Sequence, residues 1–287
     1  NESDPLFQHE WLVVNHCDLR EREGKIFSAI PIDIDWLNET FSHRLSKIQT
    51  PGFDGKTGSF SSITELRYRK LTLAQLDKGE APKAFVIQTC ARLLGQQGKA
   101  LLNWTPACEN WLKRLLWVSG IAPEFEPVTE QQVFENSDKW LLPYIGALAN
   151  IKSLRKINIL PLLKAMLSWE QSNLLDQLAP EFYAAPSGKK VPIHYDEAQG
   201  PTVSIQLQEM FGETQSPKLA NKVNLRFELL SPARRPIQIT SDLGQFWVSS
   251  YFEVAKDMRA KYPKHRWPEK PLEEKPGKSL KKKRIDK

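Results

Sequence analysis

The clearest alternation of apolar and polar positions lies in the last third of the chain. Val191, Ile193 and Tyr195, then Val203, Ile205 and Leu207, then Val223, Leu225, Phe227 and Leu229 put every second side chain on one face, the period of a half-buried strand. The Glu197–Pro201 turn and the Gly212–Asn221 loop separate these runs, so the pattern predicts an antiparallel meander. Beyond it Leu243, Trp247, Tyr251, Val254 and Met258 step by three or four and predict one helix from about Ser241 to Ala260, covering the apolar face of the sheet. Thr240 or Ser241 can cap that helix, and Asp242 suits the positive end of its dipole.

From Ala81 to Leu174 the period is helical. Phe85, Gln88, Thr89, Arg92 and Leu93 open one helix, and Trp111, Leu112, Leu115 and Leu116 mark the next, with Thr105 as N-cap and Pro106 at the first helical position. Leu148, Ile151, Leu154, Ile157 and 159–167 continue the pattern with a break at Pro161, giving a bundle of four or five short helices. The N-terminal part is β-rich: 11–14 and 26–34 predict a hairpin turned by Arg20–Lys25, and 61–73 predict a further strand. The fold class is thus α+β and multi-domain. Its parts are a β-rich unit (1–80), a helical domain (81–178), an antiparallel sheet with a C-terminal helix (179–267) and a flexible basic tail (268–287).

Composition adds location to charge. The net charge is +6, but from Lys261 onward eleven Lys or Arg face four Asp or Glu, a surplus of seven that leaves residues 1–260 near −1. The tail residues Lys281, Lys282, Lys283 and Arg284 lack apolar periodicity and follow three prolines, so they predict a mobile arm that gathers phosphates or simply stays solvated. The content of 40% hydrophobic residues, with nine Trp and thirteen Phe, predicts packed cores rather than disorder. The chain starts at Asn1 without a charged-then-apolar leader and has no apolar run of membrane-spanning length, so a soluble, cytoplasmic piece is expected. Cys17, Cys90 and Cys108 are odd in number and far apart, which fits a reducing compartment and neither a disulfide scaffold nor a zinc knuckle.

The run Leu229–Pro268, LLSPARRPIQITSDLGQFWVSSYFEVAKDMRAKYPKHRWP, resembles the C-terminal end of the bacterial HrpB-type ATP-dependent helicases of the DEAH-box class. There an L-S-P-A-x-R-P turn leads to D-L-x-x-F-W and then to Y-P-K-H-x-W-P. Trp140–Ile145 (WLLPYI), Pro186–Lys189 (PSGK) and Gln208–Gly212 (QEMFG) match the same family in the same order. Asp4-Pro5-Leu6, Trp11–Val14 and Leu102–Pro106 resemble its preceding part. The resemblance implies an OB-like β-barrel for the N-terminal unit, motor domains in cis, and ATP and Mg²⁺ in the parent helicase rather than in this stretch. Within these residues Gly55-Lys56-Thr57 imitates the end of a phosphate-binding loop. Its first glycine position is Thr50, no strand-to-helix context surrounds it, and no D-E-x-H motif occurs.

Candidate chemistry is therefore that of binding single-stranded RNA or DNA. Arg234 and Arg235, held between Pro232 and Pro236, either present planar forks to phosphate oxygens or pair internally with Glu209 or Asp242. Lys261, Lys264 and Arg266 flank a Trp-Pro stop that either offers its cations to phosphates or clamps the chain end onto the body with the cations left outward. Arg67 and Arg69 around Tyr68 either follow a nucleic-acid backbone or protect an edge strand. Trp104, Trp111, Trp117, Trp140 and Trp169 are either core or stacking platforms. Catalytic pairs such as His16 with Cys17, His194 with Asp196 and Ser153 with Lys156 lack the companions their chemistries need, so neither catalytic residues nor a bound metal are expected. The second class of function is a protein-interaction or regulatory module of the same helicase.

Overall fold

The computed structural model describes residues 4–18, 24–145, 148–196 and 198–277. The chain divides into two compact units, 1–89 with 146–153 and 90–145 with 154–287, and each is described by itself.

In the first unit β1 (Leu12–Asp18) and β2 (Lys25–Pro31) pair antiparallel as expected, while the turn that joins them lies largely outside the described residues. Asp33 then caps α1 (Ile34–Thr40), accepting a hydrogen bond from the Asp35 amide, so the predicted strand 26–34 ends early. β3 (Leu45–Asp54), β4 (Ser59–Tyr68) and β5 (Leu71–Gly79) form an antiparallel sheet of their own with β4 central. The expected strand 61–73 therefore spans two strands, because Arg69 adopts a left-handed φ of 52° and reverses the chain. Among the described residues the pair and the triplet share no ladder.

The β3–β4 turn is closed by Asp54, whose carboxylate accepts from the Lys56 amide (2.9 Å) and the Thr57 hydroxyl (2.7 Å). Residues 148–151 return to its far side: Phe60 donates to Ala149 O (2.9 Å) and Ile151 to Gly58 O (2.8 Å). Gly58 makes that approach possible. Its φ is +78°, and a Cβ there would lie 2.8 Å from Ile151 Cγ2.

The second unit holds the larger core. α2 (Lys83–Gln97) leads into it and α3 (Pro106–Ser119) forms its axis, with Thr105 capping the Cys108 amide and Pro106 at N1 as expected. The buried stripe of α3 runs Cys108, Trp111, Leu112, Leu115 and Val118, the helical period read in three dimensions. Capping boxes at Thr129/Gln132 and Ser168/Gln171 start α4 (Glu130–Glu135) and α7 (Trp169–Leu178); α5 (Ser137–Trp140) and α6 (Ile159–Lys164) lie between them. Pro161 does not break α6. It sits in the first turn, where no intrahelical acceptor awaits its missing N–H. Arg114 is buried and donates to Ala179 O (2.6 Å) and to Asp176 (2.5 Å), tying α3 to the end of α7.

The expected antiparallel meander is a mixed sheet. β6 (Phe182–Ala184) pairs with β7 (Lys190–Pro192), so the run 191–195 is split between β7 and β8 (His194–Asp196). β8 pairs antiparallel with β9 (Gly200–Gln206), and residues 207–225, including the short hairpin β10 (Lys218–Leu219) and β11 (Val223–Asn224), carry the chain back. β12 (Arg226–Leu230) thus runs parallel to β9, with Phe227 opposite Val203 and Leu229 opposite Ile205. β13 (Pro236–Thr240), which the alternation did not reveal, completes the order β13-β12-β9-β8. Val203, Ile205, Phe227 and Leu229 are essentially inaccessible, each contributing about 2 kcal/mol by burial.

The single helix expected over 241–260 is two, α8 (Leu243–Val248) and α9 (Tyr251–Lys261). The break falls at Ser249, whose hydroxyl bonds back to Gln245 O (2.6 Å) and competes with continuation of the helix. Asp242 itself is the cap, accepting from Gln245 N at 2.9 Å. Leu243, Phe246, Trp247, Tyr251, Ala255 and Met258 form the buried face. Among the described residues no helix is long and apolar enough to cross a membrane.

Two outcomes follow. Gly58→Ala strains a left-handed turn and pushes Ile151 away, so the first unit should lose about 1–3 kcal/mol. Amide exchange at Phe60 and Ile151 should quicken, whereas unchanged protection would show the contact to be slack. Burial drives the Tyr183, Tyr195 and Tyr251 phenols well above their ordinary range and pushes the Cys90 thiol up to about 11. The folded state then keeps protons that the unfolded chain, with groups near pH 9 to 10, releases. Stability should accordingly be full below about pH 9 and fall as pH rises further. Urea midpoints measured between about pH 8 and about pH 10.5 should decline; a flat profile would contradict these environments.

Candidate nucleic-acid interface

The turn Ser231–Arg235 links β12 to β13 and is fixed by its own backbone. Ser231 N–H donates to Arg235 O (2.8 Å), Arg234 N–H to Ser231 O (2.9 Å), and Arg235 N–H to the buried Ser231 hydroxyl (3.1 Å). Gln206 Nε2 holds Pro232 O from β9 at 2.9 Å. Arg234 takes a left-handed φ of 58°, a conformation costing an L-residue about 1–2 kcal/mol, and its side chain is exposed. Neither Arg234 nor Arg235 forms an ion pair among the described residues; Asp242, one of the expected partners, spends its carboxylate on capping α8.

Arg235 lines a groove of about 450 Å³ with Pro236, Ile237 and Ser231 on one wall and Val254, Asp257, Lys261 and Tyr262 of the α9 side on the other. Arg235 and Lys261 are thereby brought together, with Arg234 on the same turn. Asp257 is the one carboxylate of this lining and pairs with neither cation. Lys264 follows on an exposed turn closed by His265 N–H to Tyr262 O (3.1 Å).

Other expected site residues are placed differently. Arg266 does not point outward: it bonds Glu274 (3.1 Å) and Lys275 O (2.9 Å) and lies 5.6 Å from the Phe211 ring centroid, securing the segment after Trp267. Trp267 is buried and donates to Tyr262 O, so the aromatic half of the clamp is present. In the first unit Arg67 is paired with Glu65 on its own strand (2.6 Å), while Arg69 is exposed at the β4–β5 turn. Tyr68 packs edge-on to Phe41 at 6.0 Å, and its hydroxyl accepts from Arg44. Lys281, Lys282, Lys283 and Arg284 lie outside the described residues. Trp111 and Trp140 are core, whereas Trp169 stands 79% exposed on α7.

A second cationic groove, unread in the sequence, lies at the other end of the mixed sheet. Lys218, Lys222 and Arg226 line it, over about 720 Å³. They are spread over β10, the turn after it and β12, so only the folded topology gathers them.

Gly55-Lys56-Thr57 forms a hairpin turn organised by Asp54, whose carboxyl the Thr57 hydroxyl and then the Lys56 amide hold below its usual range; no helix N-terminus follows to cradle phosphates. His16 rests against Phe27 (5.0 Å), and Asp196 binds the amides of Ala198 and Gln199. Among the described residues no three His, Cys, Asp or Glu side chains converge to hold a metal ion.

Two cationic grooves thus lie at the two ends of the mixed sheet. Residues 140–271 match the family of the ATP-dependent helicase C-terminal region, HrpB_C. Over 98% of its length the chain is 32% identical to the ATP-dependent RNA helicase HrpB of Escherichia coli strain K12, of which it covers 35%. The crystal structure of the E. coli DExH-box NTPase HrpB superposes with a TM-score of 0.66 at 31% identity, covering 96% of this chain and 35% of that one. The E. coli DEAH/RHA helicase HrpB gives 0.58 at 29% identity, with 92% and 34% covered. The chain belongs to the HrpB-type helicases, as their C-terminal region, and spans about a third of the length of the relatives it matches.

Thiol accessibility provides a direct check on these placements. Cys17 is exposed and Cys90 and Cys108 are buried. In the native protein an aromatic disulfide reagent should modify Cys17 promptly and the other two only on unfolding. Rapid modification of two or more thiols would mean that the α2–α3 core is open.

Proposed function

We propose that this region binds single-stranded nucleic acid, RNA in the first instance, and guides it for an HrpB-type helicase in the cytoplasm. ATP, Mg²⁺ and the unwinding step belong to motor domains in cis, and this stretch adds no ATPase of its own. The observation that carries the reading is the Arg234–Arg235 turn: two exposed arginines without an ion pair among the described residues, on a backbone locked by Ser231, with Arg235 beside Lys261 in one groove. Guanidinium forks match phosphate oxygens in a bidentate geometry, and a turn already ordered loses little entropy on binding. Exposed Arg69 and Lys264 and the basic residues 281–284 add sequence-independent attraction.

A second reading, a protein-docking module, is favoured by the hairpin β1–β2, where Val13, Ile26, Phe27 and Ile30 are all more than half exposed. Ionic strength separates the two, because phosphate contacts release counterions and apolar docking does not.

Anisotropy of a labelled single-stranded RNA titrated with the chain at about 50 and about 200 mM salt should show affinity falling steeply, with a log–log slope near −0.7 per phosphate contact. Arg234→Ala with Arg235→Ala should weaken binding about tenfold and flatten that slope by about 1.4. Absence of binding at the lower salt would overturn the reading and leave the docking module.

A further inference from the structure

The groove around Lys218, Lys222 and Arg226 differs from an ordinary solvated patch in how its charges are held. Lys222 Nζ donates to Ile121 O (2.6 Å) and Arg226 Nη1 to Gln199 O (3.5 Å); these carbonyls orient the heads without neutralising them. Lys218 is exposed and its ammonium makes neither a hydrogen bond nor an ion pair among the described residues. Among the described residues the lining contains no carboxylate. Of the acids close to it in sequence, Asp196 accepts from the Ala198 and Gln199 amides, Asp242 from the Gln245 amide and Glu228 from the Ser204 hydroxyl, while Glu197 lies outside the described residues. Asn224 Nδ2, bonded to Ser241 O at 3.2 Å, adds a neutral donor group to the same wall.

The frame is ordered as well. Ala220 and Asn221 both hold left-handed φ values, 49° and 54°, in the β10–β11 turn that carries Lys222. Successive left-handed residues are the geometry of a tight hairpin turn, and here they fix the backbone from which Lys222 projects. Arg226 is the first residue of β12, and the Arg234–Arg235 turn begins just past its last, Leu230. At about 3.3 Å per residue Arg226 and Leu230 stand roughly 13 Å apart, so the two cationic grooves flank the two ends of one short strand.

We propose that Lys218, Lys222 and Arg226 form a second phosphate-binding site that takes backbone phosphates of the same single strand engaged at Arg234, Arg235 and Lys261. The inference rests on the nucleic-acid reading above but adds a distinct site with its own residues. A strand is favoured over a small anion because the groove is open and lined by three separated cations rather than one converging nest.

The test uses the whole 287-residue chain. Labelled single-stranded RNA is titrated by anisotropy over a salt series with the triple variant Lys218→Ala, Lys222→Ala, Arg226→Ala, with Lys218→Glu alone, and with the Arg234→Ala, Arg235→Ala control. The triple variant should bind at least tenfold more weakly at about 50 mM salt and show a slope shallower by about 2, at about 0.7 per lost contact. Lys218→Glu removes no interior bond; it should weaken binding while leaving circular dichroism and the urea midpoint unchanged, and it decides the matter if the triple variant fails to fold. Wild-type affinity and slope in Lys218→Glu and in the folded triple variant, with loss in the Arg234, Arg235 control, would overturn this site and leave the first one standing. A wild-type chain that binds no RNA at the lower salt would overturn both.

Discussion

The parallel pairing of β9 with β12 is the constraint from which the rest of the second unit follows. Parallel neighbours cannot be joined by a tight turn, so a long connection must return the chain to the edge from which β9 began. Residues 207–225 are that return. Its first turn buries Leu207, Gln208, Met210 and Phe211 in the core, and Trp247 then bonds Glu213 O at 2.7 Å, anchoring α8 to the crossover. The later part delivers Lys218 and Lys222 to the end of the sheet where Arg226 begins β12. The opposite end of β12 is left to turn directly into β13 and to meet α9. Two cationic grooves at the two ends of one strand are thus consequences of a single topological choice.

Where side-chain burial alone decides the element, the sequence was readable. The alternation in 203–207 and 225–229, the Thr105-Pro106 start of α3, the hairpin β1–β2 and the aromatic face Leu243–Trp247–Tyr251–Met258 all recur in the structure. Strand direction was not readable, because alternation is identical for parallel and antiparallel partners and only the length of 207–225 hinted at a crossover. The hinge at Ser249-Ser250 and the reversal at Arg69 depend on one residue's competing backbone geometry, which a periodicity summed over a window averages away. Two capping boxes, Thr129-x-x-Gln132 and Ser168-x-x-Gln171, stood in the sequence as helix starts without being used.

The candidate site was legible to the extent that it is contiguous. Arg234 and Arg235 are adjacent and bracketed by prolines, so the turn declares itself. Lys218, Lys222 and Arg226 look like scattered surface charges until the β10–β11 hairpin folds them against the end of β12. Arg266 shows the converse: in a basic string it reads as an outward cation, but the Phe211 ring and Glu274 claim it for packing. Charge in a sequence is therefore a poor guide to available charge. The structure separates the two by whether a cation's partner is a carboxylate, as for Arg67 and Arg266, or at most a carbonyl, as for Lys222 and Arg226.

That distinction bears on what the unpaired cations cost the fold. A guanidinium paired with a nearby carboxylate gains about 0–1 kcal/mol at the surface, so pairing would be the easy resting state for Arg234 and Arg235. Instead the fold accepts a left-handed Arg234 and commits Asp242 to a helix cap, leaving both forks unmatched. Each unpaired cation adds repulsion within its groove, modest in water and screened by salt, which a bound chain of phosphates would relieve. The arrangement accepts a small loss of folding stability in exchange for charges that are already positioned, and a preordered turn loses less entropy to any anion it meets than a flexible one would.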